Sequence, residues 1–157
     1  LIDSTFGAGA GTISTPFTVE GFFYVTSNGV MITTYNHASM TGWQLQQFFG
    51  TFRLMNYNGG GSTLIDSGSA FPTNVWTYLT ITFDRTTTNL FINGISVGTT
   101  TTLLRFAATP RGIGFGNNFV GNVDSAFSGF LDSARVTIGE ARYTSNFTPP
   151  TAPFPTS

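Results

Sequence analysis

The sequence contains no cysteine and no lysine, and a single histidine, His37. Without cysteine there is no disulfide framework and no thiolate metal site, and one histidine does not make a zinc centre. Charge is scarce too. Charged residues make up 8% of the chain, against roughly a quarter in an ordinary globular domain, and all six cations are arginine. A net charge of −1 does nothing to steer the chain toward phosphate backbones or anionic lipid, so neither nucleic acid nor membrane is an expected partner. No apolar run approaches the ~20 residues that a membrane-spanning helix needs. Glutamate is nearly missing: Glu20 and Glu140 are the only two, and neither has another carboxylate within three residues. Asp66, Asp84, Asp124 and Asp132 are equally isolated in sequence. Glycoside hydrolysis needs two carboxyls converging on one bond, so this scatter argues against an enzyme.

What is present is β-forming and turn-forming. The chain has 157 residues, 40% of them hydrophobic and 15% aromatic, with 19 glycines. That length allows one domain with a real core. A surface solvated by Thr, Ser, Asn and Gly suits an extracellular or virion-borne β-protein. Leu1 is not an initiator methionine, so a processed piece of a longer chain is expected. No stretch repeats apolar residues at helical spacing, whereas strand patterns recur. Residues 17–25 are aromatic and β-branched and lead into a Ser27-Asn28-Gly29 turn. Leu79, Ile81 and Phe83 alternate with Thr80 and Thr82, which predicts a half-buried strand. Asn93-Gly94 between two apolar runs predicts a hairpin with a type I′ turn. Further strands are expected over residues 42–49, 51–56, 113–115 and 130–138, with a flexible loop at Gly59-Gly60-Gly61-Ser62. Spacing of this kind indicates an all-β fold of two antiparallel sheets packed face to face. The Pro-rich end cannot pair inside a sheet. The expected division is therefore a sandwich over residues 1–147 and a C-terminal strap or linker over residues 148–157.

Three segments resemble the laminin-G-like jelly roll of the concanavalin A-like lectin/glucanase superfamily. Phe17-Thr18-Val19-Glu20-Gly21-Phe22 is similar to its early "FTIEGW" strand, with Phe22 in place of Trp. Trp76-Thr77-Tyr78-Leu79-Thr80-Ile81 followed by Leu90-Phe91-Ile92-Asn93-Gly94 resembles its "W-x-h-v-a" strand and "l-y-i-N-G" hairpin. Phe127 to Val136 resembles "F-x-G-x-I-D-D-V-R-V", with Ser133 replacing the second Asp. The tail, Gly139 to Pro155, is similar to the "G-x-A-R-Y-T-x-N-F-T-P-P-T-x-P-F" ending of a subfamily found in tailed-phage structural proteins. The resemblance implies a non-catalytic, lectin-like adhesion or decoration module on a virion or extracellular surface. Its partners would be a cell-surface glycan and other virion or appendage proteins, with a homo-oligomer as one arrangement. The alternative is a purely structural assembly domain without a sugar ligand, and a polysaccharide hydrolase is the remote one.

Candidate residues follow from these readings. Tyr35, His37, Tyr57 and Asn58 lie near turns and are the carbohydrate-contacting candidates, with Asn56 beside them. Trp43 and Trp76 fall where the resemblance places core tryptophans, so both are expected inside. No cofactor is required. The resemblance does open a calcium site at the sandwich rim, for which Asn117, Asn122 and Asp124 offer oxygen ligands in one loop. Asp132, on regular alternation, shares a face with Phe130, Ala134, Val136 and Ile138. A carboxylate on an apolar face must be paired, so Asp132 is expected to meet backbone N–H groups, Arg135 or Arg142. Asn146-Phe147-Thr148 is formally a glycosylation sequon, read here as a turn.

Overall fold

The computed structural model describes residues 13–71, 73–106, 112–116, 126–152 and 154. Ten strands run in chain order: β1 (Phe17–Val25), β2 (Gly29–Thr33), β3 (Thr41–Phe48), β4 (Thr51–Asn58), β5 (Gly61–Asp66), β6 (Trp76–Phe83), β7 (Thr88–Ile92), β8 (Ile95–Thr100), β9 (Gly114–Phe115) and β10 (Gly129–Ile138). They form two five-stranded sheets, β10-β1-β6-β7-β8 and β5-β4-β3-β2-β9, and every strand pairing is antiparallel. The expected all-β sandwich is what the chain forms. There is no helix among the described residues.

Alternation builds the core between the sheets. Phe17, Val19 and Phe23 of β1, Leu79, Ile81 and Phe83 of β6, and Leu90 and Ile92 of β7 face Trp43, Leu45, Phe52 and Leu54 of the second sheet. Trp43 is fully buried and its ring stacks on Phe17 at 6.0 Å. The Asn93-Gly94 turn has positive φ at both residues, 51° and 78°, as a type I′ turn requires. The glycine run is not the loose loop expected: Gly61 and Ser62 already belong to β5, and Asn58 donates N–H to the Gly60 carbonyl in a tight hairpin.

Beyond Trp76, β6 is not half-buried but buried on both faces. Thr18, Thr80 and Thr82, on the outer face of sheet one, are as inaccessible as the core because residues 139–147 cross over them. Each contact in that crossing uses a tail residue. Thr18 Oγ1 donates to the Glu140 carbonyl and accepts from Arg142 N–H, and Thr82 Oγ1 donates to the Tyr143 carbonyl. Asn146 Oδ1 accepts from Ser96 N–H, which gives this asparagine a structural role. Phe147 donates its N–H to Gly94 and packs edge-on against Phe91, while Tyr143 stacks on it at 3.6 Å. A Cβ on Gly94 would lie 1.9 Å from the Phe147 carbonyl oxygen, so glycine serves both the turn and this close approach.

The carboxylate sealed under the crossing is Glu20, not Asp132. Glu20 has no exposed surface; Arg135 lies 2.6 Å from Oε1, Tyr78 donates its hydroxyl to Oε2 at 2.5 Å, and Arg142 stands 3.9 Å away. Burial, then the hydrogen bond to Glu20 and its charge, push the Tyr78 hydroxyl well above the usual tyrosine range. Asp132 was expected on the apolar face because strict alternation puts it there. The register shifts instead: Glu20 pairs with Arg135 and Phe22 with Asp132, so one residue of β1 opposes two of β10. That bulge, with Ser133 at φ 50°, turns Phe130 and Asp132 outward while Val136 and Ile138 pack on the core.

Trp76 also departs from expectation. It opens β6 on the outer face, beyond the reach of the crossing, and is 49% exposed.

Candidate functional site

The end of sheet two gathers most of the residues singled out as carbohydrate contacts. Beyond β2 the chain turns through Asn36, whose Oδ1 accepts from Ala38 N–H, and this turn carries Tyr35 and His37. Tyr57 comes from the last turn of the pleat in β4. The Tyr35 and Tyr57 rings meet at 4.1 Å, and His37 sits edge-on to Tyr35 at 6.1 Å. Tyr35, expected to be accessible, is buried, whereas Tyr57 is half-buried and His37 and Asn58 are exposed. Tyr35 therefore backs the Tyr57 ring rather than offering a face of its own. Gly61, the cross-strand partner of Tyr57 in β5, lies against the same ring: a Cβ there would come within 2.8 Å of its Cε1. Both contacts restrain the ring.

Gln44 Nε2 donates to the Tyr57 hydroxyl at 2.9 Å and to Gln46 Oε1 at 2.6 Å. Burial raises the hydroxyl pKa of both tyrosines, with the Tyr35 charge adding to that of Tyr57. Both hydroxyls thus stay protonated and able to donate at neutral pH.

Tyr57 and Asn58 border a cavity of about 390 Å³ with Asn56, Ser62, Thr102 and Arg105. Asn56 is buried, contrary to the expectation of a free side chain, and works as a clamp. Its Nδ2 donates to the Leu103 carbonyl and its Oδ1 accepts from Arg105 N–H, which pins the segment after β8 against β4. No ion pair among the described residues engages the Arg105 guanidinium. The cavity therefore presents one aromatic ring, amide and hydroxyl groups, and one cation. Arg105 and Thr102 have no sequence signal, because the Asn56 clamp brings their segment to Tyr57, whereas Ser62 arrives through the β4–β5 hairpin.

The calcium candidates Asn117, Asn122 and Asp124 lie outside the described residues. Among the described residues no three His, Asp or Glu side chains converge in a way that would hold a metal ion.

Comparison with known proteins fits this architecture. No curated protein matches the sequence. Solved structures that it resembles include domain 4 of an extracellular arabinanase from Geobacillus stearothermophilus in complex with arabinotriose, with 18% identity over 83% of this chain and 65% of that one, at a TM-score of 0.61. A putative carbohydrate-binding protein from Bacteroides ovatus shares 15% identity over 82% of this chain and 40% of that one, at 0.58. A carbohydrate-binding module from Bacillus subtilis shares 9% identity over 82% and 76%, at 0.53. The chain thus spans less than two thirds of the first two, and such low identities establish the fold alone. Residues 4–139 match the family model of the concanavalin A-like lectin/glucanases, and the chain belongs to that superfamily.

Proposed function

We propose that the chain is a non-catalytic, lectin-like module that binds carbohydrate through the cavity at the end of sheet two. The observation that carries this reading is the Tyr57 ring, restrained by Tyr35 and Gly61, at the edge of a cavity bearing Asn58, Ser62, Thr102 and Arg105. A sugar needs a firm apolar surface for its C–H face and converging hydrogen-bonding groups for its hydroxyls, and both are present. The arabinotriose complex and the carbohydrate-binding modules among its structural neighbours support the same reading. A binding rather than hydrolytic role is supported by Glu20, which is sealed from solvent and committed to Arg135 and Tyr78. The resemblance of residues 139–155 to a tailed-phage ending supports display on a virion fibre, spike or capsid surface, in contact with other virion proteins.

The test is a glycan array probed with the intact chain and with Tyr57→Ala. Selective retention of one glycan class by the former, lost by at least tenfold in the latter, is the expected result. A blank array, together with sugar release from polysaccharide, would replace this reading with a hydrolase. A second reading, an assembly domain without a sugar ligand, is favoured by Phe49, which is 77% exposed at the β3–β4 turn with φ 47°. An oligomer by light scattering that Phe49→Ser dissolves, with no glycan bound, would select it.

A further inference from the structure

The outer face of sheet one has a second feature suited to a ligand, which shares no residue with the Tyr57 cavity. Phe130, Tyr24 and Trp76 pair across β10, β1 and β6, and antiparallel partners point the same way. Their rings touch in series, Tyr24 to Trp76 at 5.6 Å and Tyr24 to Phe130 at 5.9 Å. Phe130 is 65% and Trp76 49% exposed, so the row costs the fold solvent-exposed aromatic surface. One pleat along, roughly 7 Å away, the next row is Asp132, Phe22 and Tyr78. There the chain after Phe147 rises over the sheet and leaves a groove of about 610 Å³, floored by Phe22 and walled by Asp132, Ser133, Thr148, Pro150 and Thr151.

We infer that this groove and the aromatic row beside it form a second saccharide-binding site, for an uncharged or amino-substituted glycan chain; the inference rests on the carbohydrate reading above. Two features point to that ligand. The first is composition: ring faces lie next to one carboxylate and several hydroxyls, the mixture that a sugar's apolar and hydroxyl-bearing faces require. Among the described residues the Asp132 carboxylate accepts one hydrogen bond, from Ser133 Oγ at 3.2 Å, which leaves lone pairs for ligand hydroxyls or an ammonium. The second is how Asp132 comes to be there. The β1–β10 bulge turns it out of the face that alternation would give it, at the cost of a left-handed Ser133. The carboxylate excludes acidic sugars. Arg135 does not offset it, because its guanidinium is committed to Glu20 and lies over the Phe154 ring at 4.0 Å. The second site thus differs in charge from the Arg105 cavity. The two rows together measure roughly 10 by 7 Å, room for two or three sugar rings.

Trp76 is the built-in reporter, since the other tryptophan, Trp43, is buried in the core. Titrate the intact chain with a panel of neutral and amino oligosaccharides (maltohexaose, mannohexaose, arabinohexaose, chitohexaose, deacetylated chitosan hexamer) and with an oligogalacturonate, following tryptophan emission. At least one neutral or amino oligomer should give a saturable change, absent in Trp76→Phe, and Asp132→Ala should weaken it at least tenfold. Arg53→Ala, remote from both sites, should not alter it. Silence of Trp76 toward all the neutral and amino probes, a response to oligogalacturonate, or full binding by Asp132→Ala would overturn the second site. If Trp76 is silent while the intact chain still binds on the array, only the groove falls; if the array is blank as well, both readings fall.

Discussion

Removing Arg135 tests whether the buried Glu20 cluster holds the tail to the sandwich. Glu20 is wholly buried, and Arg135 is its closest cationic partner at 2.6 Å. Arg135→Ala would leave the carboxylate with the Tyr78 and Tyr143 hydroxyls and with Arg142 at 3.9 Å. Breaking a buried pair from one side costs about 3–5 kcal/mol, because the remaining charge is stranded. Loss of the contact with the Phe154 ring adds about 0.5–1 kcal/mol. Domains of this size are stable by about 5–15 kcal/mol, so the variant should fold but melt about 7–24 °C lower. The comparison is Arg53→Ala, which breaks a 2.7 Å pair with Asp66 whose side chains are 31% and 34% exposed, and should cost under about 1 kcal/mol. Urea titration of both variants reads the difference. In the Arg135→Ala background, Glu20→Gln should recover part of the loss by removing the stranded charge. Equal stabilities for the two arginine variants, or no recovery with Gln, would refute the reasoning.

Three further outcomes follow from the same geometry. Gly94→Ala places a Cβ at φ 78° and 1.9 Å from the Phe147 carbonyl, so it should cost about 2 kcal/mol or more and expose the tail to limited proteolysis; a tail as resistant as the wild type's would contradict the close approach. Tyr78 has a folded pKa above its unfolded value of about 10, so its neutral form is favoured by folding: that contribution is complete below pH ~10 and is lost as pH rises further. Denaturation curves at pH 9 to 11.5 should fall less steeply with pH for Tyr78→Phe than for the parent, with Tyr35, Tyr57 and Tyr143, each raised first by burial, supplying the remaining slope. Trp43→Ala should cost about 3–5 kcal/mol and Trp76→Ala under about 1 kcal/mol, a split that calorimetry would reverse if the indoles were equivalent.

Much of the sandwich was legible because its strands obey local rules. The alternation of Leu79, Ile81 and Phe83, and the Asn93-Gly94 turn, each depend on residues a few positions apart. What was not legible involves a third layer. Thr80 and Thr82 read as solvent-facing on any period-two pattern, yet they are buried because Tyr143 and Phe147 arrive from some sixty residues downstream. The tail pattern that resembles a phage ending was visible, but not its physical content. Arg142, Tyr143, Asn146 and Phe147 are the side chains that clasp β1, β6 and the β7–β8 turn.

The sites show the same limit in sharper form. Tyr35, His37 and Tyr57 could be chosen because they are aromatic and lie near turns, and the fold does bring their rings together. Arg105 could not be chosen, since only the Asn56 clamp carries its segment to Tyr57. For Asp132 the sequence pointed the wrong way. Phe130, Asp132, Ala134, Val136 and Ile138 form a flawless alternation, and one unpaired residue near Ser133 splits it, sending the first two outward and the last two inward. A bulge leaves no compositional mark beyond a serine, a glycine opposite and a left-handed φ that the sequence does not display. The same single-residue shift keeps Arg135 on the outer face, over Glu20. Regular pairing through Ser133 would have aimed either Asp132 at the core or Arg135 away from Glu20, so one irregularity serves both the buried ion pair and the exposed groove.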